Sequence, residues 1–449
     1  MNTLTDTRFS DCLDSEKIRT KVTVRPEPVE GLESIDPLIA AELLESTLKQ
    51  IFIPNQFSLA FIKEMVGRAS LHSQQLFSSQ AQYSARVFNP PELEVSPLCL
   101  TGLAGIGKSQ TIVALRKVLP QPTELSCDLY QGTVPLLSHW YASARGKASG
   151  KALLENFVFG DNPKLRMSTV AILLKESRRA ANKHGVSLTI LEEMQHISTG
   201  AGAAMVTDIL LTMAAIGPPM VFVCNYSLAH KLLKRNSEDT QRLLAAPRLM
   251  LPEEPNSQDW IDYIAECLRV SNGYISVDIV ELAEEVYRCT FGIKRLVALL
   301  LKLAYVECRS AGRQSVNVID ILNAYRSTAY TVSAGQVEEL QYLAIGGRPK
   351  KAQLHLVCPF DVPAPMKSNV VKFTRDDRHQ RVISKVFDSA LTEHERAAQK
   401  SVDVLVQTDP QLSKKRRSTS LVQLSAEEQA SAFFEYIDTV APPKPTKPK

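Results

Sequence analysis

Residues 98–118 read LCLTGLAGIGKSQTIVALRKV, and this stretch decides which fold the chain can adopt. The apolar run Leu98–Leu100 predicts a buried strand, and the run QTIVALRKVL predicts a helix. Between them lies the pattern Gly-x-x-x-x-Gly-Lys-Ser. Glycines let backbone N–H groups surround a phosphate at the helix N-terminus, the lysine supplies positive charge, and the serine hydroxyl can bind Mg²⁺. We therefore expect a nucleotide site formed by Gly102, Gly105, Ile106, Gly107, Lys108, Ser109 and Gln110.

A second apolar run ends in two acids. VSLTILEEMQHIS contains the strand candidate Leu188–Leu191, followed by Glu192 and Glu193. At the end of a strand beside the phosphate loop, Glu192 is expected to hold the water shell of Mg²⁺ together with Ser109. Glu193 is expected to polarise the water that attacks the phosphate. The alternative is an acidic cap between a strand and a helix.

A third apolar run places an amide at the same edge. PPMVFVCNYS predicts a strand over Val221–Cys224, so Asn225 follows its carboxyl end. An amide at this position is suited to sense the γ-phosphate or to orient water. Asn is also frequent in ordinary turns after strands, which is the competing interpretation.

Composition excludes several classes of protein. The 449 residues are 44% hydrophobic and 22% charged, with a net charge of +4, which is typical of a globular chain and not of a fibrous or disordered one. No apolar run is long enough to span a membrane, and the N-terminus lacks the pattern of a signal peptide. The eight Cys include no Cys-x-x-Cys pair, so we expect reduced thiols in a cytoplasmic protein.

Four regions can be distinguished along the chain. Alternating strand and helix patterns predict an α/β fold with a parallel sheet flanked by helices. Four helical patterns follow that region, from WIDYIAECLRV to NVIDILNAYRS. The last region carries the whole positive excess, includes the basic block 414–417, and is expected to be a largely extended, partly disordered tail with one late helix, SAEEQASAFFEYIDTV. The predicted domains are an N-terminal extension (1–50), a nucleotide-binding core (51–255), a helical lid (256–330) and the tail (331–449).

The order of these motifs resembles that of AAA+ P-loop ATPases. A phosphate loop is followed by LTILEEMQHIS, by a strand ending in Asn225, and by helices carrying Thr290-Phe-Gly-Ile-Lys-Arg295. The segment EMQHIS is similar to the signature D-E-[IV]-Q-H-[LI] of the TnsC/TniB family of transposition regulators. In that family the first acid is usually Asp, whereas this chain has Glu192. His196 in this segment has an alternative interpretation as a core or interface residue, and we assign it no catalytic role.

The resemblance implies further roles for charged residues. AAA+ sites lie between subunits, so Arg242 is implied as the arginine that reaches a neighbour's γ-phosphate, with Arg248 as the alternative. Arg295 resembles the lid cation that contacts the γ-phosphate within one subunit, and Lys294 is its competitor. Basic residues between the phosphate loop and the acids are implied to contact the DNA backbone, namely Lys151, Lys175, Arg178, Arg179 and Lys183.

The function implied by this resemblance is ATP-dependent regulation of transposition. ATP and Mg²⁺ are the expected cofactors. The expected partners are double-stranded DNA, further copies of the chain, transposase subunits and a target-selector protein of the TniQ/TnsD type, in a cytoplasmic, nucleoid-associated bacterial setting without a membrane. The tail has two competing interpretations, a docking element for transposase or a helix packed on the lid. Two other functions compete: an ATPase scaffold that assembles proteins without DNA, and, less well supported, a small-molecule kinase.

Overall fold

The computed structural model describes residues 7–92, 95–126, 133–145, 149–159, 169–196, 198–349, 351–362 and 364–390. Internal contacts divide the chain into two units, Met1–Asp377 and Arg378–Lys449. Every site considered below lies in the first unit. In the second unit, the described residues are the C-terminal part of one helix.

A parallel sheet forms the centre of the first unit. The strands are β1 Leu98–Gly102, β2 Thr123–Ser126, β3 Thr133–Leu136, β4 His139–Ser143, β5 Leu188–Glu192, β6 Met220–Asn225 and β7 Arg248–Met250. Five of them form a parallel sheet in the order β4-β5-β6-β1-β7, and β2 pairs with β3 as an antiparallel hairpin. The three strands predicted from apolar runs are therefore confirmed, as β1, β5 and β6.

Helices precede and separate these strands. Before β1 lie α1 Ser15–Val22, α2 Pro37–Leu48, α3 Gln56–Leu76 and α4 Gln80–Phe88. Between β1 and β7 lie α5 Lys108–Val118, α6 Gly150–Phe159, α7 Val170–Lys183, α8 Ser198–Ala214, α9 Tyr226–Leu232 and α10 Ser237–Leu244.

Two hydrophobic cores lie on the opposite faces of the sheet. Leu98 and Ile190 share one core with α1, α3 and α5. Cys99 and Phe222 share the other with α6 to α10. Because alternate residues of a strand point to opposite faces, both faces of these strands are buried. This double burial explains why β1, β5 and β6 appear in the sequence as unbroken apolar runs.

A helical lid follows β7. It contains α11 Gln258–Val270, α12 Ile279–Thr290, α13 Lys294–Ser310 and α14 Val318–Arg326, which confirms the four predicted helical patterns. Trp260 is fully buried at its centre, and its indole N–H donates to the carbonyl of Ala283 over 3.0 Å. Ala40 and Leu44 of α2 belong to the same core. The N-terminal region thus contributes helices to both the sheet and the lid.

The prediction of an extended tail from residue 331 needs correction. Thr331–Ala344 forms α15 and Ala364–Ala390 forms α16. Val337, Leu340 and Leu356 are buried in the core of the lid. The basic block 414–417 and the predicted late helix at 425–440 lie outside the described residues.

Within the part of the chain that the structure describes, no helix combines the length and hydropathy needed to cross a bilayer.

Candidate nucleotide-binding site

The phosphate loop connects β1 to α5 at the carboxyl edge of the sheet. Gly107 caps α5 with a φ of 118°, and Gly105 has a φ of 83°. Residues with a Cβ rarely adopt such angles, so glycine is required for this path of the backbone. The loop therefore ends with the N–H groups of α5 directed to the place where a phosphate would bind.

Lys108 is held inside this loop. It is 7% exposed, and its Nζ donates to the carbonyl oxygens of Gly102 and Leu103 over 2.9 and 2.7 Å. Burial is the main cause that lowers the pKa of Lys108 to about 8, and the nearby Glu193 opposes that shift. Phosphate oxygens would give this ammonium group the negative partner that it lacks among the carbonyls.

A cavity of about 580 Å³ opens in front of the loop. This volume falls within the range of about 300–1,000 Å³ that is usual for ligand sites. Eight of the predicted residues line it: Gly105, Gly107, Lys108, Ser109, Gln110, Glu193, Asn225 and Arg295. Four further residues that line the cavity were not predicted from the sequence. They are Leu48, Lys49, Ile51 and Phe52, at the end of α2 and in the chain after it. The eight predicted residues are thus brought together from distant parts of the chain, whereas Gly102, Ile106, Glu192 and Arg242 do not line the cavity.

Glu192 lies at the end of β5 and is almost entirely buried, at 5% exposure. Tyr141 on β4 donates its hydroxyl hydrogen to Glu192 Oε2 over 2.8 Å. Burial raises the pKa of Glu192, and the hydroxyls of Tyr141 and Ser109 act in the opposite direction. Oε1 has no hydrogen-bond partner among the described residues. A buried carboxylate oxygen without a partner, near a serine hydroxyl, suits the hydrated Mg²⁺ that accompanies ATP.

Glu193 follows in a left-handed backbone conformation, with a φ of 60°. Its Oε2 accepts hydrogen bonds from Gln195 Nε2 over 2.7 Å and is 2.8 Å from His196 Nε2. Both partners also line the cavity. Neither residue was predicted to act at the site, and their spacing of two and three residues after Glu193 is the only sequence signal for these contacts.

Asn225 ends β6 beside the phosphate loop. In the pairing of β1 with β6, Asn225 is directly opposite Gly102. Because both strands are parallel, their carboxyl ends meet at one edge, and Asn225 lines the cavity together with Lys108.

The lid contacts the phosphate loop through Arg295. Its backbone N–H donates to the carbonyl of Gly105 over 3.1 Å. A Cβ on Gly105 would lie 2.9 Å from Arg295 Nε, so the guanidinium packs directly on the loop. Lys294 also lines the cavity, but its Nζ lies 2.8 Å from Glu253 Oε1 and 5.0 Å from the ring centre of Tyr263. The two competing lid cations therefore have different surroundings.

The two candidate trans-acting arginines also differ. Arg248 donates two hydrogen bonds to the carboxylate of Glu64, over 2.7 and 2.6 Å. Arg242 lies on α10, pairs with Glu238 over 3.0 Å, and lines a separate surface pocket with Pro97. Arg248 is thus anchored within its own subunit, and Arg242 lies outside the nucleotide cavity.

The predicted DNA-contacting residues fall into two groups. Arg178 is largely buried and donates to the carbonyl of Ala215 over 2.7 Å and to Glu92 over 2.6 Å, so it stabilises the fold. Lys175 is exposed on α7. Lys151 and Arg179 form ion pairs with acids on their own helices, and Lys183 is half-buried at the end of α7.

The five-stranded parallel sheet flanked by helices, the phosphate loop after β1 and the helices after β7 confirm the predicted α/β fold class. The assignment of the chain to the AAA+ ATPases stays a prediction. No protein-family model matches the chain. No curated protein matches it in sequence. Membership of the TnsC/TniB family therefore stays a prediction.

Several solved structures are similar to the chain at low identity. Drosophila ORC bound to DNA is 14% identical over 84% of this chain and 91% of that chain, with a TM-score of 0.41. The Aeropyrum pernix ORC2 protein in its ADPNP–ADP complexes is 12% identical over 70% and 94%, with a TM-score of 0.38. The Thermotoga maritima RuvB Holliday junction branch migration motor is 11% identical over 65% and 80%, with a TM-score of 0.33. Likeness at this level does not assign an activity.

Proposed function

We propose that the chain is an ATP-dependent, DNA-binding regulator of transposition. It assembles as an oligomer or filament on target DNA, links a target-selector protein of the TniQ/TnsD type to transposase subunits, and disassembles when ATP is hydrolysed. The observation that carries the ATPase part is the single cavity shared by Lys108, Glu193, Asn225 and Arg295. The transposition part rests on the resemblance of EMQHIS to the TnsC/TniB signature.

The predicted site residues have distinct tasks in ATP hydrolysis. Lys108 and the N–H groups of the loop bind the β- and γ-phosphates. Ser109 and, through water, Glu192 would hold Mg²⁺, which would supply positive charge to the phosphates. Glu193 accepts a proton from the attacking water, and Asn225 orients that water. Arg295 contacts the γ-phosphate from the lid of the same subunit. Arg242 contacts the γ-phosphate of the ATP in a neighbouring subunit.

DNA binding in this proposal depends on phosphate contacts without base recognition. Exposed lysines and arginines supply charge and no sequence code. Arg178 donates to the carbonyl of Ala215 and to the carboxylate of Glu92, so of the five predicted residues it has the least charge to offer DNA. Lys151, Lys175, Arg179 and Lys183 remain the stronger candidates.

One observation favours the alternative of an ATPase scaffold that works without DNA. Lys151 and Arg179 are already paired with Glu155 and Glu176 on their own helices. Such pairs reduce the net positive charge that the surface offers to a phosphate backbone.

Steady-state ATP turnover with and without duplex DNA separates the two functions. We expect DNA to stimulate turnover by the parent protein, and we expect Lys175→Glu combined with Arg179→Glu to remove the stimulation. Lys117→Glu, an exposed lysine at the end of α5, is the control for a change of charge. Turnover that is indifferent to DNA would favour the scaffold, and the absence of turnover under all conditions would contradict both.

A further inference from the structure

Glu192 is held from the neighbouring strand. In the register of β4 with β5, Tyr141 pairs with Ile190 and Ser143 pairs with Glu192. Tyr141 and Glu192 are therefore diagonal neighbours on the same face of the sheet. The Tyr141 hydroxyl donates to Oε2 over 2.8 Å, whereas Oε1 is buried and has no partner among the described residues. Tyr141 thus holds Oε2 of Glu192, and Oε1 is available to a ligand.

The ring of Tyr141 is itself fixed by the helix that begins with the phosphate loop. Arg116 on α5 places its guanidinium carbon 4.0 Å from the centre of this ring. Arg116 Nε also lies 3.4 Å from His139 Nε2, on the same strand as Tyr141. A stacked cation of this kind restricts both side chains. The phenol thus has a defined position relative to the helix that carries Lys108 and Ser109.

The hydrogen bond from Tyr141 matters because the side chain of Glu192 is long. Compared with Asp, Glu has one more methylene group and one more rotatable bond, so a free Glu192 would sample several positions at the end of β5. We propose that Tyr141 is a positioning residue that fixes the longer acid with Oε1 directed to the water shell of the metal. This inference rests on the ATP-binding function proposed above.

The affinity for nucleotide with and without Mg²⁺ tests this role without measuring turnover. A fluorescent, slowly hydrolysed ATP analogue is titrated into the full chain, once in EDTA and once in excess Mg²⁺. Tyr141→Phe keeps the ring under Arg116 and removes only the hydroxyl. We expect its affinity for the analogue in EDTA to stay within about twofold of the parent. The factor by which Mg²⁺ increases that affinity, here called the gain from Mg²⁺, should fall about tenfold, as for the loss of one hydrogen bond to a charged group.

Comparing Glu192→Asp with the double variant Glu192→Asp, Tyr141→Phe shows whether Tyr141 acts through Glu192. The shorter carboxylate does not reach the phenol, so Tyr141→Phe should change the gain from Mg²⁺ by less than about twofold there. An undiminished gain in Tyr141→Phe alone, or equal losses in both backgrounds, would overturn the positioning role. A parent that binds no analogue in either buffer would instead overturn the ATP-binding function.

Arg116→Ala provides a second measurement should Tyr141→Phe lose binding in EDTA through misfolding. It removes the cation that restricts the ring and keeps the phenol hydroxyl of Tyr141 in the chain. We expect the gain from Mg²⁺ to fall about threefold, in proportion to one cation–π contact. An unchanged gain counts against the proposal.

Discussion

Lys108 is a buried cation whose charge is costly until a phosphate binds. Its pKa is lowered to about 8, chiefly by burial. Bound phosphates favour the charged ammonium and therefore raise this pKa. Above about pH 8 the Lys108 amine must consequently take up a proton when ATP binds. The affinity for ATP should be constant at lower pH and fall by up to about tenfold per pH unit above pH 8.

The test is a titration of a fluorescent ATP analogue between about pH 7 and pH 9.5, a range that brackets the lowered pKa. Lys108→Arg is the control, because a guanidinium stays charged throughout and should give a flat profile wherever it binds. A flat profile for the parent, or an affinity that rises with pH, would show that Lys108 is not the phosphate-binding cation.

Glu193 is the residue that we expect to activate water. Glu193→Gln keeps the size of the side chain and loses the carboxylate, so it should bind ATP, slow turnover by about 10²–10⁴-fold and leave persistent assemblies on DNA. Single-turnover ATP hydrolysis measures the effect, with Glu192→Gln as the matched variant. Parent-like turnover in Glu193→Gln, together with loss in Glu192→Gln, would reverse the two assigned roles.

The residues that could be predicted from the sequence are those whose chemistry depends on local spacing. Gly107, Lys108 and Ser109 follow from a fixed pattern after a strand. Tyr141 could not be predicted, because its contact with Glu192 depends on the register of two strands separated by 44 residues of sequence. His196 lies only three residues after Glu193, but the turn that joins them, in which the His196 N–H donates to the carbonyl of Glu193 over 3.0 Å, follows no apolar pattern that predicts it.

At the scale of elements, the junction of α12 with α13 connects the lid to the phosphate loop. Phe291 and Gly292 both have positive φ, 53° and 70°, which ends α12 and turns the chain so that α13 begins beside Gly105. Arg295→Ala should therefore weaken ATP binding about tenfold and leave stability almost unchanged, because it removes a charge aimed at the ligand.

Lys294→Ala is the matched variant, and its expected effect is different. It leaves Glu253, which is 7% exposed, without its cation, and should lower the free energy of unfolding by about 2 kcal/mol. Urea unfolding and the affinity for ATP, measured on both variants, distinguish the stabilising role of Lys294 from the ligand-binding role of Arg295. A large loss of ATP affinity in Lys294→Ala with a normal Arg295→Ala would contradict the assignment of Arg295.

The elements that were predictable are those with a single strong pattern. Strands β1, β5 and β6 are buried on both faces and appear as apolar runs. Strand β7 has three residues and β4 alternates in burial, so neither gave a comparable signal. Helix α15 was missed because few of its residues, such as Val337 and Leu340, are buried within a polar segment.

At the scale of the whole molecule, the region after residue 390 lies outside the described residues and holds the basic block 414–417 and the aromatic cluster Phe433, Phe434 and Tyr436. Removal of residues 410–449 leaves the cavity and its helices unchanged in sequence. We expect ATP hydrolysis and DNA binding to stay nearly intact and the recruitment of transposase to be impaired, because an acidic–aromatic segment is suited to dock a partner. Equal capture of the cognate transposase by both forms in a pull-down rules out the docking role, whereas loss of solubility on truncation favours a helix packed on the lid.

The central claim is that ATP in the cavity drives assembly of the chain on DNA. Sedimentation of the full chain with duplex DNA of increasing length, with and without a slowly hydrolysed ATP analogue, measures this most directly. We predict complexes that grow with DNA length only when the analogue is present, and no such complexes for Lys108→Ala, which lacks the charge that binds the phosphates. Assembly on DNA that is equal with and without nucleotide, or equal in Lys108→Ala and the parent, would contradict the claim.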